Sequence, residues 1–294
     1  MRKEFENKTE YSKTEIEKWF DYSKDTEIEN DVVWINEPHH FEDVYAFLVQ
    51  GSSKDLLIDT GMGIGKISNV LKQNRKSNKE LIVANTHWHF DHIGGNSEFE
   101  KVLVPNNSNE IRGIEKGWSK MEMSKYFFFD GFWHGGAPSF FNTESFGITG
   151  YTNTVKMPEE INLDNRIIIP IETPGHTPGS LSFFDSTNGL LFTGDLLYEG
   201  PLYAFEQESN PDDYLESLKI ISKLQIETIY PGHNHSTTKD FPNLINEAIS
   251  LFERAKNKEV WDSDGEFSGT VEYQHPEINN GRRLKIIVSK DYVK

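Results

Sequence analysis

From residue 31 onward the chain is built of short apolar runs closed by turn residues. "DVVWIN", "VYAFLVQG" and "DLLIDTG" are rich in β-branched and aromatic side chains and end in Asn, Gly or Asp-containing turns, which predicts buried strands. "GKISNVLKQ" instead sets Ile67, Val70 and Leu71 at helical spacing, and "ELIVANTH" then reads as a buried strand. "RIIIPIETPGH", "SLSFFD", "GLLFTGD" and "TIYPGH" are further strands, each ending in a loop. Two helices punctuate this series. In "NPDDYLESLKIISKL", Asn210 caps, Pro211 suits the first helical position and two aspartates face the positive end of the helix dipole. The second helix is "NLINEAISLFERAKN". In the tail, "EFSGTVEYQ" and "RLKIIVSK" flank "NNG", which predicts a hairpin or a pair of edge strands. Strands followed by helices in both halves predict a layered α/β architecture.

Residues 1–30 are polar and highly charged, and read as an N-terminal arm preceding one domain over 31–294. Within the arm, "EYSKTEIEKWFDYSK" predicts a short helix packed on the body through Ile16, Trp19 and Phe20. There is no repeat of fixed period and no low-complexity tract.

Composition removes several functional classes. The chain has no cysteine, so any metal must be held by nitrogen and oxygen ligands. Its net charge of −17 opposes broad contact with nucleic acid or an anionic membrane surface. No apolar run approaches the ~20 residues that span a bilayer. The start, "MRKEFENKTEYSKTEIEKWF", has no uninterrupted apolar segment, so the expected compartment is the cytoplasm.

The chemistry concentrates in "NTHWHFDHIGGN", where three of the ten histidines and one aspartate fall within six positions. At a strand end His87 and His89 point the same way, while the tight "FDH" turn brings Asp91 and His92 round to another side. Burying several imidazoles beside a carboxylate without metal or dense hydrogen bonding is costly, so two metals sharing one loop is the expectation. Neutral imidazole and carboxylate suit Zn, and also Fe or Mn. Downstream, His176 in "ETPGHTPGS", Asp195 in "LLFTGD" and His233 in "IYPGH" each follow an apolar strand, and strand ends of this kind converge on one rim. His39, His40, His235 and His275 have no such partners and are expected in solvated or loop roles.

Taken together, "LLIDTG", "HWHFDH", "PGHTPGS", "FTGD" and "PGH" occur in the order found in the metallo-β-lactamase fold superfamily, and the chain resembles its branch of glyoxalase II, lactonases and acyl thioesterases. The resemblance spans roughly residues 31 to 235. It implies a four-layered αβ/βα sandwich with two mixed β-sheets and the metals at one edge. It also implies a first metal site of His87, His89 and His176, a second of Asp91, His92 and His233, and Asp195 bridging them. Asp59 would orient a ligand imidazole from behind. Two divalent ions against two ligand carboxylates would hold hydroxide as a nucleophile near neutral pH, with Asp91 or a metal-bound water moving a proton to the leaving group. Tyr198, three residues after Asp195, is similarly spaced to a lactonase tyrosine that faces the substrate carbonyl.

From 118 to 151, eleven of 34 residues are Phe, Tyr or Trp. That is more aromatic area than a connector needs, and it marks an insertion over about 106–160. A lid over an apolar substrate group, a homodimer interface and ordinary core are the three readings, with the lid ahead. Phe132, Trp133 and His134 are then candidate substrate contacts. No flavin-binding segment, no basic glutathione pocket and no export signal is evident. The expected function is a dinuclear, zinc-type hydrolase of a thioester, lactone or ester carrying an apolar group. The alternatives are a mononuclear iron sulfur-dioxygenase and a relative that binds without turnover.

Overall fold

A computed structural model describes residues 19–24, 31–127, 130–139, 141–234, 241–257, 263–265, 267–274 and 284–292. The strands are, in chain order, β1 (Asp21–Lys24), β2 (Val32–Glu37), β3 (Val44–Gln50), β4 (Lys54–Ile58), β5 (Glu80–Ala84), β6 (Val102–Val104), β7 (Gly117–Trp118), β8 (Ile148–Thr149) and β9 (Thr154–Lys156). They continue as β10 (Ile161–Asn162), β11 (Ile167–Glu172), β12 (Leu181–Asp185), β13 (Leu190–Gly194), β14 (Pro201–Ala204), β15 (Thr228–Pro231), β16 (Ser263–Asp264), β17 (Thr270–Gln274) and β18 (Lys285–Ser289). The helices are α1 (Ile67–Asn74), α2 (Phe90–Ile93), α3 (Ser108–Lys116), α4 (Lys120–Phe127), α5 (Pro211–Ile221) and α6 (Phe241–Lys256).

Two sheets, ordered β1-β2-β3-β4-β5-β6-β9 and β10-β11-β12-β13-β15, form the middle of the molecule. Each is mixed: β3 and β4 are antiparallel while β4 and β5 are parallel, and β12 and β13 are antiparallel while β13 and β15 are parallel. Side chains alternate across a strand, so a strand buried on both faces must be apolar throughout. β3 shows this directly, with all seven residues buried. Tyr45, Phe47 and Val49 face the second sheet, where Phe47 meets Phe192 at 5.3 Å and Tyr230 at 5.5 Å between ring centroids. Ala46 and Leu48 face the other way, toward Ile67, Val70 and Leu71 of α1. In β13, likewise, Leu190 and Phe192 point to the inter-sheet core and Leu191 toward α5 and α6. The result is the four-layered αβ/βα sandwich that the sequence led us to expect.

The cap at α5 forms as its sequence dictates: the Asn210 side chain accepts from the backbone N–H of Asp212 and Asp213. β17 and β18 pair antiparallel, and with β14 and β16 they make a further sheet ordered β14-β18-β17-β16. The arm differs from its expected form. Asp21–Lys24 pairs with β2 as an edge strand, and the helix proposed for residues 10–24 does not extend over that part. Here an unpaired edge of β2 and a pocket for Trp19 and Phe20 outweigh local helical periodicity. Ile16 lies outside the described residues.

Trp19 explains a buried acid. Its Nε1–H donates to Glu37, whose other oxygen accepts from the Met62 backbone N–H at 2.6 Å. Burial nevertheless pushes the Glu37 carboxyl up to about 7 from an ordinary value of 4.5, because the two donors do not offset its desolvation. Between those values the unfolded chain is ionised and the folded one holds the proton. The stabilising contribution is therefore complete below pH 4.5 and is lost as pH rises through about 7. The loss is of order 3 kcal/mol. Urea midpoints for the wild type should fall across this window more steeply than those of Glu37→Gln, and parallel slopes would refute the assignment.

Candidate metal centre

The ligand-bearing loops all leave the same ends of their strands. β5 ends at Ala84 and leads through Asn85 and Thr86 to His87 and His89, and the single turn of α2 then carries Asp91 and His92. His176 follows β11, Asp195 follows β13 and His233 follows β15. Close backbone approach makes this possible. Gly175 adopts φ +138°, and a Cβ there would lie 2.3 Å from Tyr214 Cα, so the His176 loop rests directly on α5.

Two groups of donors result. His87, His89, His176 and Asp195 offer one set of atoms within 4.8 Å of one another, and Asp91, His92 and His233 offer another. All are buried except the half-buried His89. Asp195 reaches both groups: Oδ2 lies 3.2 Å from His176 Nε2 and 3.8 Å from His87 Nε2, and Oδ1 lies 3.0 Å from His92 Nε2 and 3.2 Å from His233 Nε2.

The second nitrogen of each ring decides which atom faces the centre. His92 Nδ1–H donates to Asp59 Oδ2 at 2.9 Å, His176 Nδ1–H to the Tyr203 carbonyl at 2.9 Å, and His233 Nδ1–H to the Glu42 carbonyl at 2.6 Å. His87 Nδ1–H donates to Thr86 Oγ1 at 3.0 Å, and that hydroxyl donates onward to Asp59 Oδ2 at 2.8 Å. Four imidazoles thus present Nε2 inward, while His89 turns Nδ1 toward His176 Nε2 at 2.9 Å.

These donors fit metal. His87 Nε2, His92 Nε2 and Asp195 Oδ1 are buried yet lack hydrogen-bond partners, although His92 Nε2 and Asp195 Oδ1 are only 3.0 Å apart. Buried polar atoms left without a hydrogen bond are ones that a metal ion between the two groups would satisfy. Burial drives His87 and His89 well below the usual imidazole range and so keeps them neutral, the ligating state. Burial also opposes charge on His92 and His233, but Asp195 and Asp91 outweigh it and push His233 up to about 10.

Asp59 ties the centre to the sheet. It follows β4 in a left-handed conformation, φ +61°, and accepts from Thr86 N and Thr86 Oγ1 as well as His92. Asp59→Asn keeps the shape but cannot accept at both oxygens. Its metal affinity should fall about 10–100-fold, read by competition with a chromogenic chelator. Wild-type affinity would remove Asp59 from this role.

Two contributors are not evident from sequence. Glu110, buried on α3, accepts from Thr177 Oγ1 at 2.6 Å and Gly179 N at 3.0 Å, and the Trp88 backbone N–H faces it too. It therefore clasps the His176 loop to the residue between His87 and His89. The spacing Asn107 to Glu110 reads as a capping box, but only Asn107 caps. Glu42 is the other: its side chain lines the cavity beside Asp91, and burial pushes its carboxyl up to about 8.

The cavity over the centre measures about 800 Å³ and has His89, Asp91, His176 and Asp195 at its floor. Trp88, Trp118, Tyr126 and Phe132 form one wall, with Trp88 and Trp118 stacked at 4.9 Å. The aromatic segment therefore divides its residues between this wall and the core. Of the three substrate contacts expected there, only Phe132 lines the cavity. Trp133 is 5% exposed and packs on Phe127, whose carbonyl accepts its Nε1–H at 3.0 Å. His134 is exposed, held by the Pro38 carbonyl at 2.9 Å. Tyr198 is also absent from the cavity wall; it is buried with its ring 5.3 Å from that of His233.

His40 lies in the turn after β2, a loop position, but is not solvated there. It is fully buried among Phe41, Phe127 and Trp133, shares a 2.9 Å hydrogen bond with the Tyr126 carbonyl, and is held by burial down to about 4. His39 is exposed, while His235 and His275 lie outside the described residues.

Comparison with known proteins agrees with the fold. The Metallo-beta-lactamase superfamily profile matches residues 41–233, so the chain belongs to that superfamily. Acyl-coenzyme A thioesterase MBLAC2 of Homo sapiens is 27% identical over 220 residues, covering 69% of this chain and 77% of its own. A hydroxyacylglutathione hydrolase of Chelativorans sp. is 34% identical over 128 residues, 42% of this chain and 49% of its own. Among solved structures, a metallo-beta-lactamase family protein of Thermus thermophilus superposes with a TM-score of 0.58 at 19% identity, covering 77% of this chain and 80% of that one.

Proposed function

We propose that this chain is a dinuclear zinc hydrolase that cleaves the thioester or ester bond of a small molecule bearing an apolar acyl group. His87, His89 and His176 would hold one ion, Asp91, His92 and His233 the other, and Asp195 both. The observation that carries this reading is the opening of both donor groups into one aromatic-walled cavity. The thioesterase and hydroxyacylglutathione hydrolase relatives support carbonyl substrates of this kind.

Divalent ions bound there supply Lewis acidity toward a carbonyl oxygen and activate water near neutral pH. The protein's own groups do the rest. Asp59 and the Tyr203 and Glu42 carbonyls fix the imidazole tautomers. Trp118 and Phe132 exclude solvent from the apolar part of the substrate. Asp91 lines the cavity with Oδ2 3.5 Å from His92 Nε2 and 3.4 Å from His233 Nε2. It takes the proton of the attacking water and returns it to the departing thiolate or alkoxide.

Elemental analysis of protein purified without added metal, beside hydrolysis of thioesters, lactones and aryl esters, tests the proposal. It requires close to two zinc ions per chain and a hydrolysed carbonyl substrate. One iron per chain with no hydrolysis would replace it with oxidative chemistry. Among the described residues no helix is long and apolar enough to cross a membrane, in keeping with a small-molecule substrate met in water.

A further inference from the structure

The second wall of the cavity takes one of its residues from outside the family match. Phe267 lies in the turn between β16 and β17, beyond residue 233. It is 41% exposed, yet its turn is tightly built. Gly265 N donates to the Thr270 carbonyl at 3.0 Å, Thr270 N and Oγ1 donate to the Phe267 carbonyl at 3.1 and 2.7 Å, and Lys290 N donates to the Gly269 carbonyl at 2.9 Å. A large apolar ring is thus held in place with much of its surface uncovered.

That ring stacks on Phe205 at 4.8 Å and 23°, and meets the edge of Tyr203 at 6.0 Å. All three line the cavity that has Asp91 and Asp195 at its floor. The wall is also fixed relative to the reacting end. β14 carries Tyr203, whose carbonyl holds His176 Nδ1–H, and β14 pairs parallel with β18 over Pro201–Ala204. The same strand therefore orients a candidate metal ligand through the Tyr203 carbonyl and leads directly into Phe205.

Resting on the hydrolase reading above, we infer that Phe267 and Phe205 form the surface that takes the distal part of the substrate's acyl chain, and so set its preferred length. An exposed Phe267 beside a half-buried Phe205 gains by covering hydrocarbon. Glu206 and Glu208 on the same rim make the favoured chain an uncharged one, because an ω-carboxylate would meet them.

The test uses N-acetylcysteamine thioesters from acetyl to dodecanoyl on wild type, Phe267→Ala and Phe205→Ala. Phe267→Ala should lower kcat/KM about tenfold for dodecanoyl and less than about twofold for acetyl, at unchanged metal content. Loss that is equal at all lengths, or no loss, overturns the inference. Calorimetric binding of the uncleavable S-dodecyl thioether gives a readout independent of turnover. If the wild type cleaves no thioester, the thioesterase half of the hydrolase reading falls and this arm decides alone. Binding about tenfold weaker in the variant supports the wall, and equal or absent binding in both overturns it.

Discussion

Replacing Asp195 by alanine is expected to lower kcat/KM at least about a thousandfold, equivalent to ~4 kcal/mol of transition-state stabilisation. The size follows from position. Asp195 is the residue whose two oxygens face both donor groups, 3.2 Å from His176 and 3.0 Å from His92. Without it the first group is reduced to three imidazoles, and the anion that would draw two cations close together is gone. The fold should survive, since Tyr214 hydrogen-bonds to the Asp195 backbone carbonyl, which alanine retains. Metal content should fall below the wild-type stoichiometry in the same sample. Activity within tenfold of wild type with full metal content would contradict the bridging assignment.

The candidate metal centre was legible in the sequence because its donor residues sit at fixed offsets from strand ends. "HWHFDH" follows the buried run ending at Ala84, and the strand period with one helical turn determines which way its side chains face. His176, Asp195 and His233 were legible for the same reason, each coming directly after an apolar run. Second-layer contacts follow another rule. Glu110 touches the His176 loop across a sequence gap of 67 to 69 residues, and nothing local distinguishes it from a surface helix acid.

The expected substrate contacts that miss the cavity share one cause. Trp133 and His134 belong to a loop whose side-chain direction depends on what packs above it, and the Trp19 indole closing over this region is part of that packing. The Asp21–Lys24 strand fails the helical reading likewise, since its partner β2 is distant in local pattern although near in sequence. The cavity's far wall, from Phe267, depends on a sheet that unites β14 with the C-terminal strands, and periodicity predicts strands without naming their neighbours.

Chelation should abolish activity and also destabilise the protein, and the second effect probes the donor geometry independently of any substrate. Removing ions leaves His87 Nε2, His92 Nε2 and Asp195 Oδ1 buried without hydrogen-bond partners. A site filled to a thousand times its Kd contributes about 4 kcal/mol to folding. In a protein of this size each kcal/mol is worth about 2–4 °C, so Tm should drop by about 10 °C with a strong chelator and return on adding zinc. The same electrostatics give the pH sense. Asp195 and Asp91 raise His92 and His233, so ions must displace protons from these rings, and metal affinity weakens as pH falls. Chelator midpoints at pH 6 and pH 8 should differ in that direction. Melting that ignores both chelator and zinc would mean that these imidazoles are held by the protein alone, and the dinuclear proposal would fall with it.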